Sequence, residues 1–265
     1  VRTATPEKIL VARAFSRKAD TYERHAFVQQ LCAAKIVKLM TPLPRGENLW
    51  LDLGSGTGLL EKIIPPEMLP RRILCLDIAQ GFLTRLQEER LEGILPVQAD
   101  AEALPLSSRA IFDRILMASI LQWTATPEEI VRASAAHLNA PGHMVFSILL
   151  EDHLKEFMSV KSRMGHPLPV HFPSEGTALS WFESSGLRIL QSEVLSGVVH
   201  HKSALEVIKS LVAIGATAIK GDPMSVKELF ELCREYEREY RTEKGVAASH
   251  SVLVGVAVPG ASAPV

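Results

Sequence analysis

Apolar and polar positions along the chain follow two rhythms that succeed one another. Short apolar runs at residues 48–53, 72–77, 95–99, 111–118 and 143–149 have the length of buried strands. Between them, residues 59–64, 79–89 and 127–138 read as helices; Pro65-Pro66 stops the first early, and Asn139-Ala140-Pro141-Gly142 forms a turn before the fifth strand. This alternation predicts a parallel sheet with helices on both faces. Residues 187–195 and 251–258 supply two more strands, which makes seven. At the N-terminus, residues 6–40 read as helix, with Phe15, Ala19, Tyr22 and Ala26 at three- and four-residue spacings and a polar break at residues 17–21. Two further helical stretches, residues 203–219 and 225–240, separate strands six and seven by far more chain than a connection needs. They are expected to form, with the N-terminal helices, a lid above the carboxyl ends of the strands. The expected division is therefore an N-terminal lid (residues 1–46), a sheet domain (47–202 and 247–258), an inserted helical lid (203–246) and a disordered tail (259–265). The chain shows no internal repeat.

Composition changes this picture little. A chain of 265 residues, 47% hydrophobic and 22% charged, can bury a full core as an ordinary globule. Its net charge of −1 argues against a dedicated nucleic-acid binder, which normally carries a basic excess. Charge is uneven, however: residues 1–40 hold eight Lys and Arg against three acids, an excess able to steer an anionic partner. Cys32, Cys75 and Cys233 are scattered and match neither a disulfide framework nor a metal site, so no metal and a cytoplasmic setting are expected. Apolar runs stop short of the ~20 residues of a membrane span, and the first residues lack the apolar core of a signal peptide.

The chemistry gathers at strand ends. After Asp52-Leu53 come Gly54, Ser55, Gly56, Thr57 and Gly58, a turn with glycine at every second position. Such a strand–glycine turn–helix unit is the front wall of a nucleotide-binding α/β fold. Leu59 stands where a dinucleotide fingerprint has its third glycine, and Asp52 would repel a pyrophosphate, so a cationic ligand fits better. S-adenosylmethionine (SAM) carries an ammonium and a sulfonium and no phosphate. The second strand ends at Asp77-Ile78, where a carboxylate can accept from two ribose hydroxyls. The third leads to Asp100-Ala101, placed for an adenine amino group. The fourth ends at Met117-Ala118 and is followed by Gln122-Trp123, beside a departing methyl. A single acid at a strand end is often only a helix cap; three in matching places at successive strand ends, the first just before the glycine turn, define a cofactor site.

The glycine turn resembles motif I of the Rossmann-like SAM-dependent methyltransferases. Further segments narrow the resemblance to the malonyl-ACP O-methyltransferases of biotin synthesis. Phe15-Ser16-Arg17-Lys18-Ala19 with Tyr22 and Gln29 is similar to the N-terminal lid helix of that family. Ala99-Asp100-Ala101-Glu102-Ala103-Leu104-Pro105-Leu106, Leu121-Gln122-Trp123, His171-Phe172-Pro173 and Ile214-Gly215-Ala216 resemble its further motifs. Met117-Ala118 departs from the family's usual Ser-Asn, and Ser55 from its usual cysteine. The resemblance implies seven strands with the last inserted antiparallel, SAM as methyl donor leaving as S-adenosylhomocysteine, and methylation of the free carboxylate of a malonyl group on acyl carrier protein. Tyr22 is the favoured residue to hold the carboxylate, with Arg17, His200, His201 and Lys202 as further candidates. Two other readings stay open at this point: methylation of a quinone carbon or phenol, and a SAM-binding module without catalysis.

Overall fold

Each apolar run expected to be a strand is one in the computed structural model of the chain, which describes residues 6–44, 48–166, 168, 170–215 and 224–260. The N-terminal segment forms three helices, α1 (Pro6–Ser16), α2 (Ala19–His25) and α3 (Phe27–Met40). The expected break falls at Arg17-Lys18; a second falls at Ala26, which is fully buried and leaves helical geometry with ψ 46. Then follow β1 (Leu49–Leu53), α4 (Leu59–Ile63), β2 (Arg72–Asp77), α5 (Gln80–Glu88), β3 (Ile94–Gln98), β4 (Phe112–Ala118), α6 (Pro127–Ala135) and β5 (Leu138–Leu149). The second half contains α7 (Lys155–Arg163), α8 (Glu175–Glu183), β6 (Leu187–His201), α9 (Ala204–Ala213), α10 (Val226–Tyr240), β7 (Arg241–Thr242) and β8 (Gly245–Pro259).

The sheet runs β3-β2-β1-β4-β5-β8-β6, and the two-residue β7 pairs with the start of β8. Strands β1 to β5 pair in parallel, and β8 lies antiparallel between β5 and β6. Strand order reverses between β1 and β4, which opens a crevice beyond their carboxyl ends. Alternation along the strands sends residues to two cores. Leu51, Leu53, Ile115, Met117 and Phe146 pack with Ile130 and Val131 of α6 and with Phe182 of α8. Trp50, Ile73, Cys75, Leu116 and Val145 face the other way and pack with Ile36 and Met40 of α3 and Leu60 of α4.

Two expectations need correction. The turn at Asn139-Ala140-Pro141-Gly142 does not precede β5 but interrupts it: Leu138 already pairs with Phe112, and the register then jumps so that His143 pairs with Arg114. The Asn139 amide, which donates to Asp113 at 2.5 Å, holds this excursion against the neighbouring strand. Strands β6 and β8 are also longer than the apolar runs suggested. Beyond Leu195, which pairs with Val252, they continue as a two-stranded ribbon to the pair His201 and Val246. The last residue of β5, Leu149, pairs with that same Val252, so the ribbon rises about 20 Å past the end of its neighbour at ~3.3 Å per residue. Polar residues on a ribbon covered from one side only hid this extension from the apolar pattern.

That ribbon carries its own core. Leu154, Phe157 and Val160 of the α7 region, Ala204, Val207 and Ile208 of α9 and Leu232 and Tyr236 of α10 pack against Val246 and Ala248. The Tyr236 hydroxyl donates to the Ala247 carbonyl at 2.8 Å. Helix α10 starts with a capping box, Ser225 and Glu228 each accepting from the other's backbone N–H. Residues 216–219, expected to continue α9, the 46/47 boundary and residues 261–265 of the tail lie outside the described residues. Pro259 still belongs to β8, and the Gly260 N–H donates to the Gly186 carbonyl at 2.9 Å.

Candidate active site

The glycine turn leaves β1 with Gly54, Gly56 and Gly58 all at positive φ. A Cβ on Gly54 would stand 2.9 Å from the Ile120 side chain, and one on Gly58 would stand 2.3 Å from Leu86 Cδ1. The turn therefore passes between two walls that only glycine permits. Beyond it lies a cavity of about 640 Å³, bordered by Gly54, Gly56, Asp77, Ile78, Ala99, Asp100, Ala101 and Ala118 from the strand ends. Helices α1 and α2 cover it with Lys8, Val11, Phe15 and Tyr22, and Gln122 and Trp123 close the far side. Volume and lining match a nucleoside-sized ligand.

Each acid at a strand end has a distinct setting. Asp77 accepts from the Gly56 N–H at 2.9 Å and the Ala79 N–H at 2.7 Å, yet burial still pushes its carboxyl up to about 6. Asp100 accepts from the Glu102 N–H at 2.9 Å and from the Lys8 ammonium at 2.6 Å. Lys8 also pairs with Glu102 at 2.8 Å, which ties α1 to the third strand end. Asp52 lines a smaller adjoining cavity with Tyr22, Gln29, Ser55 and Thr57, and neither of its buried carboxylate oxygens meets a hydrogen-bond donor.

Four aromatic rings form the cover. Phe15 stands edge-on to Trp123 at 5.3 Å and 5.6 Å from Phe82, and Tyr22 lies 4.8 Å from Phe82. Burial, and then the nearby Asp77 charge, push the Tyr22 hydroxyl well above its ordinary range, so it stays protonated and able to donate to a ligand. The Gln122 amide donates to the Ser119 carbonyl at 2.8 Å, while its own buried carbonyl oxygen lacks a donor. At the C-terminal end of α9, Gly215 has φ +79, and a Cβ there would lie 3.1 Å from Phe15 Cδ1. The two expected lid segments thus meet over the cavity edge.

Several expected site residues stand elsewhere. Met117 is fully buried in the core shared with α6 and α8, because alternation on β4 turns it away from the face that bears Ala118. Gly58 contacts Leu86 and does not border either cavity. Arg17 is exposed at the α1–α2 break. His200, His201 and Lys202 sit at the tip of the β6–β8 ribbon, outside both linings, because β6 runs on past its expected end. Conversely, Lys8, Phe82, Ser119, Ile120 and His171 border the cavity without having been assigned a role. Ser119, with φ +56, was readable only from backbone geometry; it turns the chain between β4 and the Leu121–Trp123 turn.

The donor set suits SAM. Unpartnered acceptors at Asp52 and Gln122 await cations or N–H groups, and acids stand at three successive strand ends. The crevice, the cradle and these acids resemble the cofactor site of class I SAM-dependent methyltransferases. A profile described as "Methyltransferase domain" matches residues 51–146. Over nearly its whole length the chain is similar to malonyl-[acyl-carrier protein] O-methyltransferases. That of Marinomonas sp. is 27% identical over 96% of this chain and 95% of its own. That of Geobacter sulfurreducens is 25% identical over 93% and 97%. Among solved structures, a Bacillus halodurans protein described as a methyltransferase shares the fold, with a TM-score of 0.63, 13% identity and coverage of 86% of this chain and 98% of that one.

Proposed function

We propose that the protein transfers a methyl group from SAM to the free carboxylate of a malonyl thioester carried by acyl carrier protein, giving the methyl ester. One observation of the site carries this reading. The Tyr22 hydroxyl belongs to a cover residue that lines both the larger cavity and the smaller one beside Asp52 and the glycine turn, and burial and Asp77 hold it protonated. It can donate to a carboxylate oxygen but cannot act as a base. A carboxylate needs no base, since it is already ionised at neutral pH. The likeness over nearly the full chain to enzymes named for malonyl-ACP supports the same substrate.

In this reading the Gly54–Gly58 turn and Asp52 hold the amino-acid end of the cofactor. Asp77 accepts from the ribose hydroxyls, with Ile78 beside them, and Asp100 and Ala101 meet the adenine. SAM, when bound, supplies a methyl group on an electrophilic sulfonium. Tyr22 orients the acceptor carboxylate, and Gln122 and Trp123 wall the path between acceptor and methyl. Phe15, Phe82 and Trp123 exclude water, which strengthens the attraction between carboxylate and sulfonium. The chain's task is alignment of reacting atoms, worth several kcal/mol when both are held near ~3–3.5 Å. The test uses SAM labelled in its methyl group and malonyl-ACP. A base-labile methyl ester on the carrier is expected. Absence of transfer to malonyl-ACP, with transfer to a phenol or quinone, would replace this substrate.

A further inference from the structure

Beneath the glycine turn lies a group of side chains that methyl transfer itself does not use. Asp52 on β1 and Cys75 on β2 are register partners, so both point to the face covered by α4. Glu61, the third residue of α4, comes down onto them: it is 3% exposed, its Oε1 accepts from the Cys75 thiol at 3.4 Å, and its carboxyl faces that of Asp52. Asp52 is 1% exposed. Both of its oxygens, and Glu61 Oε2, are buried without a donor. Two carboxylates buried against each other cannot both stay charged, since the mutual repulsion adds to the loss of water. A proton between them relieves both costs.

We propose that Glu61 is a positioning residue for the cofactor: it shares one proton with Asp52, and that proton leaves when the cofactor's ammonium reaches Asp52. The second observation pointing to a ligand is the small cavity that Asp52 lines with Tyr22, Gln29 and Ser55. The inference rests on the cofactor reading and adds a linkage to it. In the free protein the pair carries a single negative charge and stays acceptable beneath an apolar helix. On binding, the ammonium replaces the proton, so the local charge is conserved and the proton passes to solvent. Glu61 thereby makes the site select a ligand that brings its own cation.

The other groups around the pair have fixed places. Asp77 stands at the end of β2 and adds to the negative field at Asp52. Lys62, next to Glu61, is turned outward to Glu23 of α2 and to Glu89. Glu23 also accepts from Thr57 at 2.6 Å. Tyr22 and Cys32 keep their protons through burial. Both carboxyls of the pair are raised, foremost by burial and, for Asp52, next by Glu61.

The experiment is titration calorimetry of the full chain with S-adenosylhomocysteine, which carries the ammonium without the sulfonium. Buffers of different ionisation enthalpy at pH 7.5 count the protons released, at a pH where Asp77 is already ionised. Wild type is expected to release close to one proton and to gain affinity about tenfold per pH unit across neutrality. Glu61→Gln should still bind S-adenosylhomocysteine but release close to none, with a flat pH profile, because the amide that replaces the Glu61 carboxyl removes its charge and donates an N–H to Asp52, which offsets burial and keeps Asp52 ionised beforehand. Asp52→Asn serves as a second variant and should lose both release and affinity. Wild-type binding without proton release, or full release from Glu61→Gln, overturns the inference. Failure of wild type to bind S-adenosylhomocysteine would instead overturn the cofactor reading.

Discussion

Asp77→Asn tests the site through its own electrostatics. Asp77 is 9% exposed, and burial raises its carboxyl from the usual 3.8 to about 6. The folded state therefore holds this proton more tightly than the unfolded chain. The resulting stability is fully present below about 4 and is lost as pH rises through about 6. A shift of roughly two units corresponds to roughly 3 kcal/mol, an order-of-magnitude figure. Asparagine keeps the volume but cannot ionise, so the variant escapes this loss. It also sets its amide N–H₂ against the N–H of Gly56 or Ala79, costing about 1–3 kcal/mol at every pH. The difference between two pH values cancels that constant term. Urea unfolding of both proteins without ligand, at pH 4.5 and 7.5, should show the variant gaining roughly 2 kcal/mol relative to wild type between the two. Its affinity for S-adenosylhomocysteine should fall at least tenfold, since each charge-assisted hydrogen bond to a ribose hydroxyl is worth about 1.5–3 kcal/mol. Parallel pH profiles would refute the buried-charge argument, and unchanged affinity would refute the ribose assignment.

Further expectations concern the cover and the partner. Gly215→Val puts a branched side chain at φ +79, with its Cβ 3.1 Å from Phe15, and should cost about 1–2 kcal/mol of stability by thermal unfolding while raising KM for the cofactor. Hydrogen exchange over residues 6–40 and over α9 and α10 should slow when S-adenosylhomocysteine binds; equal rates would make these segments a fixed layer. Activity on malonyl-ACP should fall with salt, and reversing the exposed Arg24 and Lys38 to glutamate should raise KM for the carrier without changing cofactor binding. Lys35 is a poorer choice for reversal because it already pairs with Glu193. Untouched carrier kinetics at low salt would place docking elsewhere.

The parallel half of the sheet was legible because buried strands advertise themselves as unbroken apolar runs, and the glycine turn stated where the crevice opens. Asp77 and Asp100 could be placed from strand ends alone. Length failed where burial was one-sided: the extension of the β6–β8 ribbon holds polar and small residues, Ser196, Gly197, Ser249 and His250 among them, so both strands were read short, and His200 and His201 were drawn toward a cavity they do not reach. Position within a strand also failed at Met117, since a dipeptide motif does not say which of two neighbours faces the crevice. Lys8 and Phe82 come from helices whose rotation over the sheet is set by packing, such as the approach of Gly81 to Ser16, whose hydroxyl accepts from the Gly81 N–H at 3.2 Å. A sequence pattern carries no such distance.

Charge at this site follows one logic from floor to cover. The strand ends bring Asp52, Asp77 and Asp100 to one crevice, and Glu61 adds a fourth carboxyl from below. Lys8, the cation bordering the larger cavity, is engaged by Asp100 and Glu102 at its rim. An acidic floor attracts a cofactor that brings cations, and it would repel an anionic acceptor approaching alone. The acceptor carboxylate thus becomes welcome only after the cofactor has placed its sulfonium above the floor. Methyl transfer then removes both charges together, leaving a neutral ester against a thioether. The field that favoured the acceptor vanishes at that moment, and ester release needs no further change in the protein. Binding order follows from this sequence of charges: malonyl-ACP should bind tightly only to the protein already carrying SAM, and weakly to the protein carrying S-adenosylhomocysteine.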